Sequence, residues 1–164
     1  MFAYLARANH VHFMAQSKEM KAAIKRLKAL QDGIYEEIQD AFDKKQVEVI
    51  EYNTNKQLFK KGERSDNARL IPKYAESTKR IKRKKGQRIS NVTLRDTGAF
   101  YKSIKVDARE EEVEIKTDGS LDYSDHLENR YGALIYGLQP KFLRQFYNRF
   151  IKKRVKRLVK KAVK

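Results

Sequence analysis

The chain has 164 residues, of which 40% are hydrophobic, and this gives enough apolar surface for one compact domain. It contains no cysteine, which excludes a disulfide framework and a thiolate metal site. The net charge of +17 favours partners with phosphate-rich or acidic surfaces. Polar residues such as Arg7 and Asn9 interrupt the apolar N-terminal segment, so we expect a soluble protein with neither a signal peptide nor a membrane span.

The positive charge is concentrated in two regions. Residues 141–164 hold eleven Lys or Arg and no acid, and residues 73–95 hold nine against the single acid Glu76. Such local excess attracts anionic macromolecules but does not identify them.

A long amphipathic helix is predicted after an N-terminal arm of residues 1–16. Ser17 is a plausible N-cap, and the helix is expected to end by Gly62, although Gly33 is a possible point of division because glycine is unfavourable inside a helix. The apolar positions mostly keep one helical face: Met20, Ile24, Leu27, Ile34, Ile38, Phe42, Val49 and Tyr52.

The polar residues 63–91 show no apolar period and predict a long, extended, basic loop. Alternation then predicts two strands, one through Phe100, Ile104 and Val106 and one through Val113, Ile115 and Thr117. They form a hairpin across residues 107–112, whose acids keep the connection at the surface.

Two further helices follow. Residues 123–131 predict a short helix capped by Ser124 or Asp125 and stopped at Gly132, and Pro140 suits the first turn of a terminal helix. The terminal helix carries an apolar stripe, which we interpret as core or subunit interface, opposite a cationic face: Leu143, Phe146, Tyr147, Phe150, Ile151, Leu158, Val159 and Ala162. We predict an α+β fold with a core at residues 17–138 and a basic amphipathic C-terminal helix at 139–164.

One pattern of acids and a lysine matches metal-dependent nucleases. Glu114 and Lys116, with Asp96 or Asp107 as a second carboxylate, supply metal ligands and a cation for developing phosphate charge. Because acid and lysine alternate by chance in a chain with 36% charged residues, a solvated strand face is the favoured interpretation.

No other pattern favours catalysis. His10, His12 and His126 are interpreted as surface histidines, since no further ligand is obviously placed beside them. No serine lies in a nucleophile elbow, and the seven glycines form no phosphate-binding loop. We therefore expect no enzyme activity, no cofactor, no metal and no small-molecule substrate.

The two basic regions are the predicted contact surfaces for a partner or for DNA. The run at 79–85 either grips phosphates or is a solvated loop, and the terminal helix either meets an acidic partner or binds a membrane surface, which we regard as the weaker possibility. The predicted contact residues are Lys79, Arg80, Lys82, Arg83, Lys84, Lys85, Arg88, Lys152, Lys153, Arg154, Lys156, Arg157, Lys160 and Lys161.

Residues 92–104 read Val-Thr-Leu-Arg-Asp-Thr-Gly-Ala-Phe-Tyr-Lys-Ser-Ile and resemble the neck or tail-completion proteins of tailed bacteriophages. Thr97, Gly98, Ser103 and Ile104 occupy the family's Thr-Gly and Ser-Ile positions, where a capped turn leads into a strand. The resemblance covers residues 58–142.

The resemblance implies a virion structural component without a reaction of its own. Such a protein forms a ring of identical subunits between the portal side and the tail, after assembly in the host cytoplasm. Its basic loop contacts an adjacent subunit or ring, and its terminal helix meets DNA or an acidic virion protein. The alternative is a free nucleic-acid-binding protein that uses the same basic regions.

Overall fold

The computed structural model describes the backbone of residues 2–109 and 112–163 and the side chains of residues 18–109 and 112–163. The predicted α+β class is confirmed, because a two-stranded antiparallel sheet is combined with helices. The α-helices are α1 (Phe2–Lys44), α2 (Gln46–Glu51), α3 (Glu76–Lys84), α4 (Ala99–Ser103), α5 (Ser124–Tyr131), α6 (Pro140–Phe146) and α7 (Lys152–Ala162), and the strands are β1 (Ile104–Arg109) and β2 (Glu112–Thr117).

The first helix is longer than predicted at its N-terminal end. It begins at Phe2, so the prediction that Ser17 caps it is wrong, and Ser17 lies inside the helix. Gly33 does not divide it, because the break comes at Lys45, between α1 and α2. A methyl group at Gly33 would make ordinary van der Waals contact with Leu158 of α7, 3.5 Å from its Cδ1, so α7 packs against α1 at this position.

The helical segment continues beyond α2 as a π-helix at Tyr52–Lys61 and ends at Gly62, as predicted. Gly62 has a φ of +66°, and a Cβ atom there would lie only 2.8 Å from the carbonyl oxygen of Val92. Glycine is therefore required both by the left-handed backbone and by the close approach of a neighbouring segment.

The prediction of an extended loop over residues 63–91 is wrong at its centre, where α3 forms. Lys and Arg are good helix formers, and Glu76 in the first turn pairs with Lys79 at 2.5 Å. The helix shows no apolar period because the position that it buries is a lysine, Lys82. The apolar residue beside it, Ile81, is 55% exposed.

The predicted hairpin is confirmed, with different limits. Val106 is opposite Ile115, and Asp107 is opposite Glu114, so one face of the sheet is apolar and the other is charged. Residues 107 and 112 lie inside the strands and not in the connection. Phe100, predicted in the first strand, lies in α4, where it is buried.

Both C-terminal helices form as predicted, but the proposed cap of the first does not. Ser124 donates its hydroxyl to the carbonyl of Leu121 at 2.8 Å, and neither Ser124 nor Asp125 accepts a capping bond. Pro140 occupies the first turn of α6. A π-helical segment, Tyr147–Ile151, connects α6 to α7.

Two apolar clusters form the core, and the helical segment 46–61 contributes to both. The sheet-end cluster contains Leu58, Leu70, Val92, Phe100, Ile104, Tyr131, Ile135 and Tyr136. The helical cluster contains Ala41, Phe42, Val49, Leu138, Phe142, Phe146 and Ile151. Buried amides join them, because Asn53 and Gln57 both donate to the carbonyl of Gly137.

Candidate functional site

The four residues Thr97, Gly98, Ser103 and Ile104 build a turn that leads into β1. Thr97 accepts a hydrogen bond from the amide of Ala99 at 3.2 Å, and Gly98 has a φ of +89°, which favours glycine. Ser103 donates to the carbonyl of Phe100 at 2.9 Å, and Ile104 is 1% exposed. These contacts give all four residues a structural role at the start of the sheet.

Lys82 has an internal role in the structure, unlike the surface contact predicted for it. Its ammonium group donates to Oε1 of Gln87 at 2.9 Å and to the carbonyl of Arg95 at 2.7 Å. It also lies 5.1 Å from the centre of the Tyr74 ring. Because the side chain is only 7% exposed, we exclude Lys82 from the contact surface.

Two other cations of the first basic region form an ion pair or a hydrogen bond with nearby side chains. Lys85 binds Asp96 at 2.9 Å, and Gln87 donates to the same carboxylate, so these hydrogen bonds lower the pKa of Asp96. Arg88 donates to the hydroxyl of Ser90 at 2.9 Å. Within the described residues, the exposed cations of α3 without an ion pair are Arg80, Arg83 and Lys84.

The second basic region is only partly neutralised, and by acids of the same chain. Arg154 binds Glu37 at 3.0 Å and Asp40 at 2.5 Å, which fixes α7 against α1. Arg149 binds Glu48 at 3.3 Å. Six exposed cations of α7 make no ion pair with the part of the chain that the structure describes: Lys152, Lys153, Lys156, Arg157, Lys160 and Lys161.

The apolar stripe of the terminal helix is half core and half surface. Phe146 and Ile151 are buried in the helical cluster. Leu143, Tyr147 and Val159 are each about 40% exposed, at 41%, 42% and 40%. Of these three, Val159 lies among the unpaired cations of α7 and adds apolar area to the surface that a partner can contact there.

The acids and lysine of the nuclease-like pattern form an ion-pair network on the charged face of the sheet. Lys116 lies 2.9 Å from Asp107 and 2.7 Å from Glu114. Hydrogen bonds from Arg109 and Lys116 lower the pKa of Asp107 to about 2. Asp96 is instead bound to Lys85 and Gln87, so the pattern is divided between two places.

No group of three potential metal ligands occurs among the side chains that the structure describes. His126 is exposed on α5, whereas His10 and His12 lie outside the residues whose side chains are described. No described helix combines the length and apolarity needed to cross a bilayer.

Part of the apolar face predicted for the first helix forms an exposed stripe on α1, which the periodicity did not indicate. Met20, Ile24 and Leu27 are 64%, 49% and 64% exposed, and their spacing places them on one side of the helix. Leu158 of α7 packs beside Gly33, and α7 ends four residues later at Ala162. The stripe therefore projects beyond the end of α7 and is not covered by it. This projecting stripe is flanked by cations at Lys18, Lys21, Lys25, Arg26 and Lys28.

Comparison with protein families, curated proteins and solved structures finds no match to this chain.

Proposed function

We propose that this protein is a head–tail connector of a tailed bacteriophage, of the neck or tail-completion type, and that it works by assembly. The observation that carries this proposal is the projecting stripe of α1, where three large apolar side chains are exposed on one helix face. Contiguous exposed apolar surface rimmed by polar residues marks protein–protein interaction sites. The resemblance of residues 92–104 to neck proteins supports the same conclusion.

The proposed assembly is a closed ring of identical subunits between the portal side and the tail. In a ring, a surface of one subunit contacts a different surface of the next, so uncovered apolar and charged faces on one chain are expected. We propose portal-side and tail proteins as further partners, the virion as the final location and the host cytoplasm as the place of assembly. This function needs no cofactor, small-molecule substrate or membrane.

The test is whether α1 drives assembly. Analytical ultracentrifugation of the full chain is expected to detect a closed oligomer. Ile24→Glu is expected to shift it to monomer, because it would place a carboxylate in the apolar contact between subunits. Lys25→Glu introduces the same group at a neighbouring exposed position and serves as the matched control. Purified virions that lack this polypeptide by mass spectrometry would contradict the proposal.

A second candidate function is free nucleic-acid binding, favoured by the six unpaired cations of α7. Binding through phosphates releases counterions, so affinity for duplex DNA would fall steeply as salt rises. The two candidates differ in stoichiometry, since a free binding protein acts without a closed ring and is not retained in purified particles.

A further inference from the structure

The small sheet has an open edge. Within the described residues, β2 pairs with β1 alone, in the register that places Ile104 opposite Thr117 and Arg109 opposite Glu112. The backbone N–H and C=O groups on the other side of β2 therefore have no strand partner. An edge of this kind is a template for an additional strand, whether from the same protein or from another.

A groove of about 440 Å³ runs along this edge. Five consecutive residues of β2, 113–117, line it. Successive side chains of a strand point to opposite faces, so consecutive residues line one groove only where it follows the strand edge. The opposite wall is formed by the segment before α6 and by α6 itself, through Ala133, Tyr136, Gly137, Leu138 and Leu143.

The groove offers the contacts that an added strand needs. The backbone of β2 supplies a hydrogen-bonding ladder over six residues, which corresponds to a length of about 20 Å. Leu143, which is 41% exposed, supplies apolar surface for the side chains that alternate toward the core. Main-chain bonds and side-chain pockets together are the basis of strand addition.

The charge around the groove selects the occupant. Glu114 and Glu128 line it, and Lys116, the one cation among the described residues of its lining, is bound by Asp107 and Glu114. The neighbouring residues 118–128 contain four acids and no Lys or Arg, in a chain whose net charge is +17. This acidic region complements a basic segment.

We propose that the groove beside β2 binds an extended segment of a partner protein that carries Lys or Arg between apolar residues, and that this segment adds a third strand to the sheet. The proposal does not depend on whether the protein is a virion component.

The probe is a short synthetic peptide of alternating lysine and valine, added to the full chain. Hydrogen exchange measured by mass spectrometry is expected to show that the peptide protects amides of residues 112–117. A peptide of the same sequence with N-methylated backbone amides is expected not to bind, since it cannot form the ladder. A peptide with glutamate in place of lysine is expected to bind about tenfold more weakly because it meets the acidic rim.

Two variants test the walls of the groove. Leu143→Arg is expected to weaken peptide binding about fivefold or more, because it replaces apolar contact with a like charge. Glu128→Lys is expected to weaken it about threefold, as for an exposed ion pair. Glu19→Lys makes the same charge reversal on exposed α1 and is expected to leave binding unchanged.

Equal binding of the N-methylated or the glutamate peptide would overturn the proposal, as would protection of other amides in place of 112–117. A second copy of the chain is the competing occupant. If the chain self-associates without peptide, with protection of residues 112–117 that Leu143→Arg abolishes, the occupant is a second copy and the proposal of a partner protein is wrong.

Discussion

The two basic regions of this chain have similar charge in sequence and different roles in the structure. Around α3, residues 79, 82, 85 and 88 all find partners close by, and one of them is buried. On α7, Arg154 alone forms ion pairs with the described residues, and six cations remain exposed. The first region uses part of its charge in contacts within the domain, whereas the second presents most of its charge to the surroundings.

This difference shows that counting charges does not locate a contact surface. A cation already bound by an internal carboxylate or carbonyl gives up that bond when it contacts an outside anion, so its net gain is small. A cation without an internal partner keeps its full attraction. The remaining surface of the α3 region is therefore narrow, whereas that of α7 extends along the whole helix.

The largest expected effect is on DNA affinity. Replacing the six unpaired cations of α7 with glutamine is expected to lower affinity for duplex DNA by about a hundredfold at low salt. The slope of log affinity against log salt is expected to flatten by about 0.9 for each phosphate that the variant no longer neutralises. Fluorescence anisotropy over a salt series measures both quantities.

The matched control replaces Lys79, Lys85 and Arg88 with glutamine, because these three cations are bound by side chains of the domain. Its effect per residue is expected to be smaller, since these groups are already bound within the domain. An equal decrease in affinity per residue in the two variants would remove the distinction between the regions.

The second effect is on stability. Lys82→Met keeps the side chain's length but removes the ammonium group, which leaves the carbonyl of Arg95 without its 2.7 Å donor. An unsatisfied buried acceptor costs about 1–3 kcal/mol, so urea unfolding is expected to show a decrease of about 2 kcal/mol in the free energy of unfolding. Lys84→Met on the exposed face of the same helix is the control, with an expected change within about 0.5 kcal/mol. Equal decreases would mean that Lys82 is not an internal anchor.

The smallest effect concerns Arg154, the α7 cation that forms ion pairs with acids of α1. Hydrogen bonds from Lys44 and Arg154 lower the pKa of Asp40. A lowered folded-state pKa gives stability that is present above the unfolded value of about 4 and is lost as pH falls through the folded value. Asp40→Asn is therefore expected to have a lower Tm than the unchanged chain at pH 7, and this gap is expected to close below about pH 4.

The control for this titration is Asp32→Asn, on an exposed part of α1. Its Tm difference from the unchanged chain is expected to stay near zero at every pH. A gap for Asp40→Asn that persists at acidic pH would show that the carboxylate's charge is not what holds α7 against α1.

Periodicity predicted the elements whose buried residues are apolar. The hairpin followed from alternation at Val106 and Ile115, and the helix end followed from Gly62, where the backbone requires glycine. Helix α3 was missed because a lysine is its buried residue, and hydrophobic patterns do not register a buried ammonium. The start of α1 was misplaced because Ser17 has the side chain of a cap, and caps depend on where the chain turns.

The candidate surfaces were only partly predictable for a related reason. Sequence identifies which residues are cationic, but pairing such as that of Arg154 with Glu37 joins positions more than a hundred residues apart. The stripe through Met20 and Leu27 has the pattern of a core face, and only the position of α7's end shows that it is uncovered. The groove beside β2 depends on packing between a strand and α6, for which no local sequence signal exists.

The π-helical segment Tyr52–Lys61 sets the rotational alignment of the two apolar clusters. Its bonds reach one residue further along the chain than those of an α-helix, so it accommodates more residues in each turn. Removing one residue ahead of Gln57 would change the position of Gln57 around the helix axis, and its side chain would no longer be placed to donate to the carbonyl of Gly137. The number of residues in this short segment is thus as strictly determined as the identity of any side chain in the core.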